Sequence, residues 1–230
     1  MRLAALGLSY AQAGRLVGSV KSTLCRWVRQ EAVRKPVLSG QVWELDGMWT
    51  KTRLGPREMR VIRDEMGTAL GSFEPWSEAI DQAWRQAEGT PVHLVSDDDR
   101  AIAAGIELVY GREAPHQLCQ FHLLREYRRS VGYKGFRAAR ALLESASRAE
   151  AEEHAREAII RSGGKALDWC RKALGKGMTH LGTGQERHRT TSRLERQNRE
   201  YRRREKMGTV WSPHNLLALL QIRGLINQTT

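Results

Sequence analysis

The chain has 230 residues, with 38 Lys and Arg against 26 Asp and Glu, a formal net charge of +12 at pH 7. Hydrophobic residues make up 40% and charged residues 28%, which excludes a disordered polar tract, and no stretch approaches the ~18 consecutive apolar residues of a membrane span. Cys25, Cys119 and Cys170 are too few and too scattered for a disulfide framework, so the expectation is reduced thiols, a cytoplasmic location without membrane association, and a polyanionic partner.

Basic residues gather near the two ends of the chain. Residues 1–35 carry seven Lys and Arg against the single acid Glu31, and residues 187–206 carry nine against Glu195, Glu200 and Glu205. The first segment reads as two helices, over 10–17 and 20–31. Ser9 and Ser19 are placed as N-caps, and Gly18 supplies the positive φ of a sharp turn. Leu16, Val17, Val20, Leu24, Trp27 and Val28 recur mostly at spacings of three and four, as one apolar seam. This pattern predicts a helix-turn-helix over 1–35 whose second helix turns Lys21, Ser22, Thr23, Arg26 and Arg29 outward, where they suit the bases and phosphates of double-stranded DNA.

After a linker at 35–40 the pattern becomes extended. A strand over 42–46 ends in Asp46, and apolar runs at 59–62 and 69–73 flank a turn at 64–68. A helix over 77–88, capped by Ser77, is expected to bury Ile80 and Trp84. A strand over 91–96 then runs into Asp97-Asp98-Asp99, followed by a helix with Ile102, Ile106 and Val109 at core spacing. His116-Gln117-Leu118 makes a short last strand before a helix over 119–130. Three strands, helix, strand, helix, strand, helix is the order of a ribonuclease H-like α/β core. Residues 137–161 predict one Ala- and Glu-rich helix, 166–174 another, and the glycines at 175–184 a flexible or tightly turned segment. The domain reading is therefore a helix-turn-helix at 1–35, the first part of the core at 41–135, a helical insertion at 136–182, and C-terminal core helices at 183–230. The last of these are a long basic helix over 190–206 and an apolar helix from Ser212-Pro213 onward.

Three carboxylates carry the chemistry in this reading. Asp46 and Asp97 fall at the C-terminal ends of strands, where side chains converge on a crevice without charge entering the core. Mg²⁺ or Mn²⁺ takes such oxygen ligands, and a pair of ions about 3.5–4 Å apart clamps both oxygens of a phosphodiester exchange. Glu195, on an otherwise basic helix, is the third acid. Asn198, Arg199, Arg202 and Arg203, one or two turns further on, are placed as phosphate contacts. Taken singly, each acid has a plainer reading, as a helix cap or turn former for the aspartates and as an ion-pair partner of Arg199 for Glu195.

The set resembles the mutator-type DDE transposases of bacterial insertion sequences. The matching residues are Asp46 in WELDGMW, Ser96-Asp97 in LVSDDDRAI, Cys119 to His122 in QLCQFH, and Glu195 in TTSRLERQNREYRRR. The resemblance implies a ribonuclease H-like fold with a helical insertion ahead of the glutamate helix, and Asp46, Asp97 and Glu195 as metal-binding catalytic acids. It also implies Cys119 and His122 as a C-x-x-H motif supporting the site, and metal-dependent cleavage and strand transfer by a homo-oligomer on transposon ends and target DNA. The C-x-x-H pair lacks the second pair that a structural zinc site needs. Where the family often has Gly after the second aspartate this chain has Asp98, which leaves Asp97 and Asp98 both open as the ligand. A catalytically inactive or truncated copy acting as a DNA-binding regulator is the alternative function.

Overall fold

The computed structural model describes residues 10–31, 37–185, 188–206, 208, 210 and 212–228. They form a mixed α/β structure that divides into two compact units, Met1–Thr90 with Leu194–Thr230, and Pro91–Arg193. Among the described residues no helix is long and apolar enough to cross a membrane.

The first unit opens with helices α1 (Tyr10–Val17) and α2 (Lys21–Glu31). Gly18 between them has φ +66°, a conformation that costs glycine little. The expected cap Ser9 lies outside the described residues. The seam differs from expectation: Leu16, Val17, Val20 and Trp27 are exposed, whereas Ala13 and Leu24 are buried. The cause is the closeness of the turn, because the Ser19 N–H donates to the Gly14 carbonyl at 2.9 Å. The helices therefore meet through small residues at 13 and 14 against Leu24, and larger side chains are left outside. The side chain of Val28 lies outside the described residues.

Strands β1 (Val42–Thr52), β2 (Gly55–Asp64) and β3 (Ala69–Ser72) form an antiparallel meander. β1 runs six residues past Asp46, which pairs with Val61 in mid-strand, so the expected strand end is corrected. Gly47 does not break the strand, because Met48, Thr50 and Thr52 are buried while Trp49 and Lys51 are exposed, a two-residue alternation that continues the pleat. Helix α3 (Trp76–Arg85) begins after Pro75 without a side-chain cap. Its buried stripe is Trp76, Ala79, Ile80 and Ala83, at i, i+3, i+4 and i+7. Trp84 falls off that stripe and is exposed, contrary to expectation. Helices α10 (Ser192–Lys206) and α11 (Pro213–Gln228) complete the unit. Leu194 and Tyr201 of α10 join Leu216, Leu219 and Leu220 of α11 in a core with Met48, Met59 and Val61. A Cβ on Gly71 of β3 would stand 2.6 Å from Leu220 Cδ2, so glycine there permits the close approach of α11.

The second unit is built on the parallel strands β4 (His93–Ser96) and β5 (His116–Leu118) with helices α4 (Arg100–Tyr110) and α5 (Gln120–Ser130). Four more helices follow: α6 (Phe136–Glu144), α7 (Arg148–Arg161), α8 (Leu167–Lys176) and α9 (Thr179–Thr183). The single helix expected over 137–161 is thus two. Ser147 caps α7 by accepting from the Glu150 N–H, while Glu150 accepts in return from Ala146, a capping box that restarts the helix. The glycine-rich segment holds α9, where a turned or flexible stretch was expected. Leu123, Tyr127, Leu142, Leu143, Trp169 and Met178 form this unit's core. Tyr127 and Trp169 meet edge to face at 4.9 Å between ring centroids, and the Trp169 indole N–H donates to the Leu123 carbonyl.

Candidate active site

In the first unit β1 and α10 are clasped at three places along one face of the strand. The Leu194 N–H donates to the buried Glu44 carboxylate at 2.9 Å, Asn198 Nδ2 donates to Asp46 Oδ2 at 2.7 Å, and the Thr50 hydroxyl donates to Glu205. Glu44, Asp46 and Thr50 share a strand face by even spacing, and positions 194, 198, 201 and 205 share a helix face. Leu194 lies in the first turn of α10, so the Glu44 carboxylate also meets the positive end of the helix dipole. Arg63, 3.7 Å away, completes the charge balance of Glu44. Asp46 is thereby fixed on the strand surface with one oxygen engaged by an amide. Glu195 precedes Asn198 by three residues, which puts the two on adjoining positions of one helix face, and Glu195 is half-buried.

This geometry revises one expected contact. Asn198 is buried and donates to Asp46, so its amide is turned inward and not toward a phosphate at the helix surface. Arg199, Arg202 and Arg203 are exposed, as are Lys21, Ser22 and Arg26 on α2, with Thr23 half-buried. The side chain of Arg29 lies outside the described residues.

In the second unit β4 and β5 pair in parallel with Ser96 opposite Leu118, so the residues after each strand end, Asp97 and Cys119, are brought side by side. The Cys119 N–H donates to the Ser96 carbonyl at 2.6 Å. Asp97, Asp98, Arg100, Cys119, His122 and Glu126 line an open cleft of about 600 Å³. The three consecutive aspartates do different things. Asp99 caps α4, accepting from the Ala101 N–H at 2.7 Å. Asp98 accepts from Lys172 Nζ at 2.7 Å, and Lys172 also holds Glu126 at 2.6 Å. Asp97 is half-buried, and its Oδ1 is fully buried without a hydrogen-bond partner among the described residues. Burial raises its carboxyl above the usual range. The positive field of His122 opposes this, and the neighbouring Asp99 and Asp98 add to it.

Cys119 is buried at the N-terminus of α5, with the Thr191 N–H and hydroxyl donating to its sulfur at 3.4 and 3.5 Å. Burial alone pushes the thiol up, but hydrogen bonding to His122 and Thr191 outweighs it, so the thiol lies below its usual value. Residues 188–191 strap the unit: the His188 carbonyl stands 3.1 Å from His93 Nε2, and the Arg189 carbonyl accepts from the Gln120 N–H at 3.0 Å. Both nitrogens of the His93 ring are occupied, the other by Thr183, and His116 Nε2 lies 2.8 Å from Ser96 Oγ. His180 meets Gln117 in the same way. Desolvation lowers all three rings to about 4, so they are neutral at pH 7.

Sequence reasoning missed Glu44, the Asn198 contact and Lys172. The helical repeat Leu194, Asn198, Tyr201, Glu205 was a usable signal for the second, because it marks the face of α10 that turns inward.

No family model matches the chain. It is 25% identical, over an alignment of 247 positions including gaps, to the transposase for insertion sequence element IS406 of Burkholderia multivorans (strain ATCC 17616 / 249), and the alignment covers 94% of the chain. The chain spans about 61% of that relative's length. Among solved structures, the catalytic core domain of the HTLV-2 integrase in complex with magnesium is matched over 46% of this chain and 82% of its own, at 17% identity and a TM-score of 0.28. The simian T-cell lymphotropic virus intasome in complex with PP2A regulatory subunit B56 gamma is matched over 56% of this chain and 60% of its own, at 18% identity and a TM-score of 0.27.

Proposed function

We propose that the chain carries the catalytic core of a DNA transposase of the mutator-like DDE type, with Asp46, Asp97 and Glu195 as the acids that hold Mg²⁺ or Mn²⁺. The observation that carries this reading is the buried, donor-less Oδ1 of Asp97 at the wall of an open cleft. A carboxylate oxygen taken from water without a partner is costly, and a hard cation with oxygen ligands is the chemistry that satisfies it. Asp46 fits the same role as a carboxylate that Asn198 holds in a fixed orientation on the strand. Bound by these acids, the cation would polarise a phosphodiester oxygen and lower the pKa of a water.

The chain's own residues supply the rest. Asn198 and Glu44 register α10 on β1, and so fix the position of Glu195 along the strand. Lys172 holds Asp98 to Glu126, which selects Asp97 as the ligand of the Asp97-Asp98 pair. Cys119 and His122 brace the end of β5 next to Asp97, with His122 offsetting its negative charge. Arg199, Arg202 and Arg203 steady the phosphates of the transposon end, and Lys21, Ser22, Thr23, Arg26 and Arg29 of a helix-turn-helix read the terminal sequence. The reaction is hydrolysis at the element's end, which frees a 3′-hydroxyl, and then in-line attack of that hydroxyl on target DNA by a homo-oligomer.

The test is a cleavage and joining assay with Mn²⁺ and a duplex carrying the inverted repeats that flank the gene. Asp46→Asn, Asp97→Asn and Glu195→Gln are each expected to lower the rate by about 10³ or more, since the interaction removed is worth several kcal/mol, while DNA binding persists. Variants that cleave like the wild type would sink the assignment. A wild-type chain that binds the repeats and never cuts them would favour the regulator.

A further inference from the structure

The β1–β2 hairpin runs on past the meander. β3 pairs with β2 only at residues 60–63, whereas β1 and β2 stay in register out to Thr52 opposite Gly55. The outer part is a two-stranded ribbon closed by a fixed tip, in which the Thr52 hydroxyl donates to the Gly55 carbonyl and accepts from the Leu54 N–H. Its surface is unusual for a strand pair facing solvent. Trp49 and Leu54 are 64% and 75% exposed, Lys51, Arg53 and Arg57 are exposed, and the one acid in residues 48–59 is Glu58, opposite Trp49 and ion-paired with Arg60. The cations are spread over both faces: Lys51 shares one with Trp49, whereas Arg57 shares the other with Met59 and stands over the Phe73 ring. Glu205 receives the Thr50 hydroxyl and the Lys51 N–H, which sets the exposed Arg202, Arg203 and Lys206 of α10 close to the ribbon's stem.

We propose that this hairpin is an arm that enters a groove of double-stranded DNA, with Lys51, Arg53 and Arg57 on the phosphates and Leu54 wedged against the bases. The major groove of B-DNA, about 12 Å wide, admits a two-stranded ribbon, and cations on both faces of a ribbon match the two phosphate walls. An exposed apolar tip between such cations is the chemistry of a wedge that unstacks a base step. A second copy of the chain is the poorer occupant, because two tips with three cations each, whose nearby Glu58 is already paired with Arg60, repel one another. The strand rise of ~3.3 Å per residue puts the tip about 20 Å along β1 from Asp46, a span of about six base pairs at ~3.4 Å each. The arm therefore grips flanking duplex at a distance from Asp46. The inference rests on the reading of DNA as substrate and is independent of the cleavage chemistry.

The full chain is titrated onto a mixed-sequence duplex carrying 2-aminopurine, across a range of salt. Lys51→Gln combined with Arg53→Gln is expected to flatten the slope of log K against log[salt] by about two, since each phosphate contact contributes ~0.9. Leu54→Ser should keep the wild-type slope and lose the 2-aminopurine fluorescence rise that reports unstacking. A wild-type chain that does not bind the duplex at all fails the reading of DNA as substrate, so failure of the arm and failure of that reading are told apart. An unchanged salt slope in the charge variant overturns the proposal. So does a wild-type oligomer that falls apart in sedimentation when either tip variant is introduced, which would assign the arm to contacts between copies.

Discussion

Asp46 and Asp97 are both aspartates on or just past a β-strand, yet the two units surround them in opposite ways. In the first unit the carboxylate receives an amide donor, and its neighbours Glu44 and Thr50 are also bonded to α10. In the second, Lys172 and the start of α4 occupy Asp98 and Asp99, and Asp97 is left with a buried oxygen that has no partner among the described residues. The difference teaches where each unit spends its polar groups: the first fixes position, and the second leaves a charge deficit that a cation can fill. The histidines deepen the contrast. His93, His116 and His180 are buried and neutral in the second unit.

The largest effect that can break this comparison is acid. A histidine lowered to about 4 in the fold and near 6.5 when unfolded contributes stability above pH 6.5 that is lost as the pH falls toward 4, because the unfolded chain binds the proton first. Each ring contributes at most about 1.4 kcal/mol per pH unit in that window. Asp97 and Asp64 run the other way. Their raised values give stability that is full below the usual carboxylate pKa near 3.8 and fades as the pH rises past it, so they offset only the acid end. Hydrogen exchange at pH 7 and pH 5 should therefore show protection lost in β4, β5 and α9 before β1–β3. Equal loss in both units would remove the histidines as the cause.

Next in size is a pair of substitutions with opposite expected signs. Asp97→Asn removes the charge of a half-buried carboxylate whose Oδ1 lacks a donor among the described residues, so without metal it should raise the melting temperature, by an amount corresponding to about 1 kcal/mol. Asn198→Ala strips Asp46 of its buried donor and should lower stability by about 1–3 kcal/mol. Thermal melts in EDTA read both, and Mn²⁺ should abolish the advantage of Asp97→Asn by stabilising the wild type alone. If both variants destabilise equally in EDTA, the two aspartates are equivalent and the contrast fails.

These contrasts were only partly open to sequence reasoning. Periodicity located the elements well, since it depends on residues near one another in the chain: β1 to β3, α4 and β5 all stand close to where their patterns put them. It failed where a local cue competed with tertiary packing. The expected strand stops at Asp46, and pairing of Gly47 with Arg60 and onward carries β1 past it. Trp84 is expected with Ile80 on the buried side of its helix, although the stripe set by Trp76, Ala79, Ile80 and Ala83 excludes it. The acids could be named from the sequence only as an expectation, but what distinguishes Asp97 from Asp98 in the structure is Lys172, and no local pattern announces a partner that far along the chain.

The smallest expected effect tests that separation. Lys172 is partly buried and Asp98 and Glu126 are largely exposed, so the three-way bridge is worth about 1 kcal/mol or less to stability. Lys172→Met should therefore barely move the melting temperature. Its consequence falls on the choice of ligand, because Asp98 is released beside Asp97 with its charge uncompensated. Two carboxylates then compete for one cation, and Asp98→Asn in the Lys172→Met background should restore the wild-type Mn²⁺ requirement for cleavage, which Lys172→Met alone shifts. A structural role for Lys172 predicts the reverse, since removing a second member of the bridge cannot repair a loss of packing. The double variant thus decides whether the second unit holds Asp98 out of the site or merely holds α8 in place.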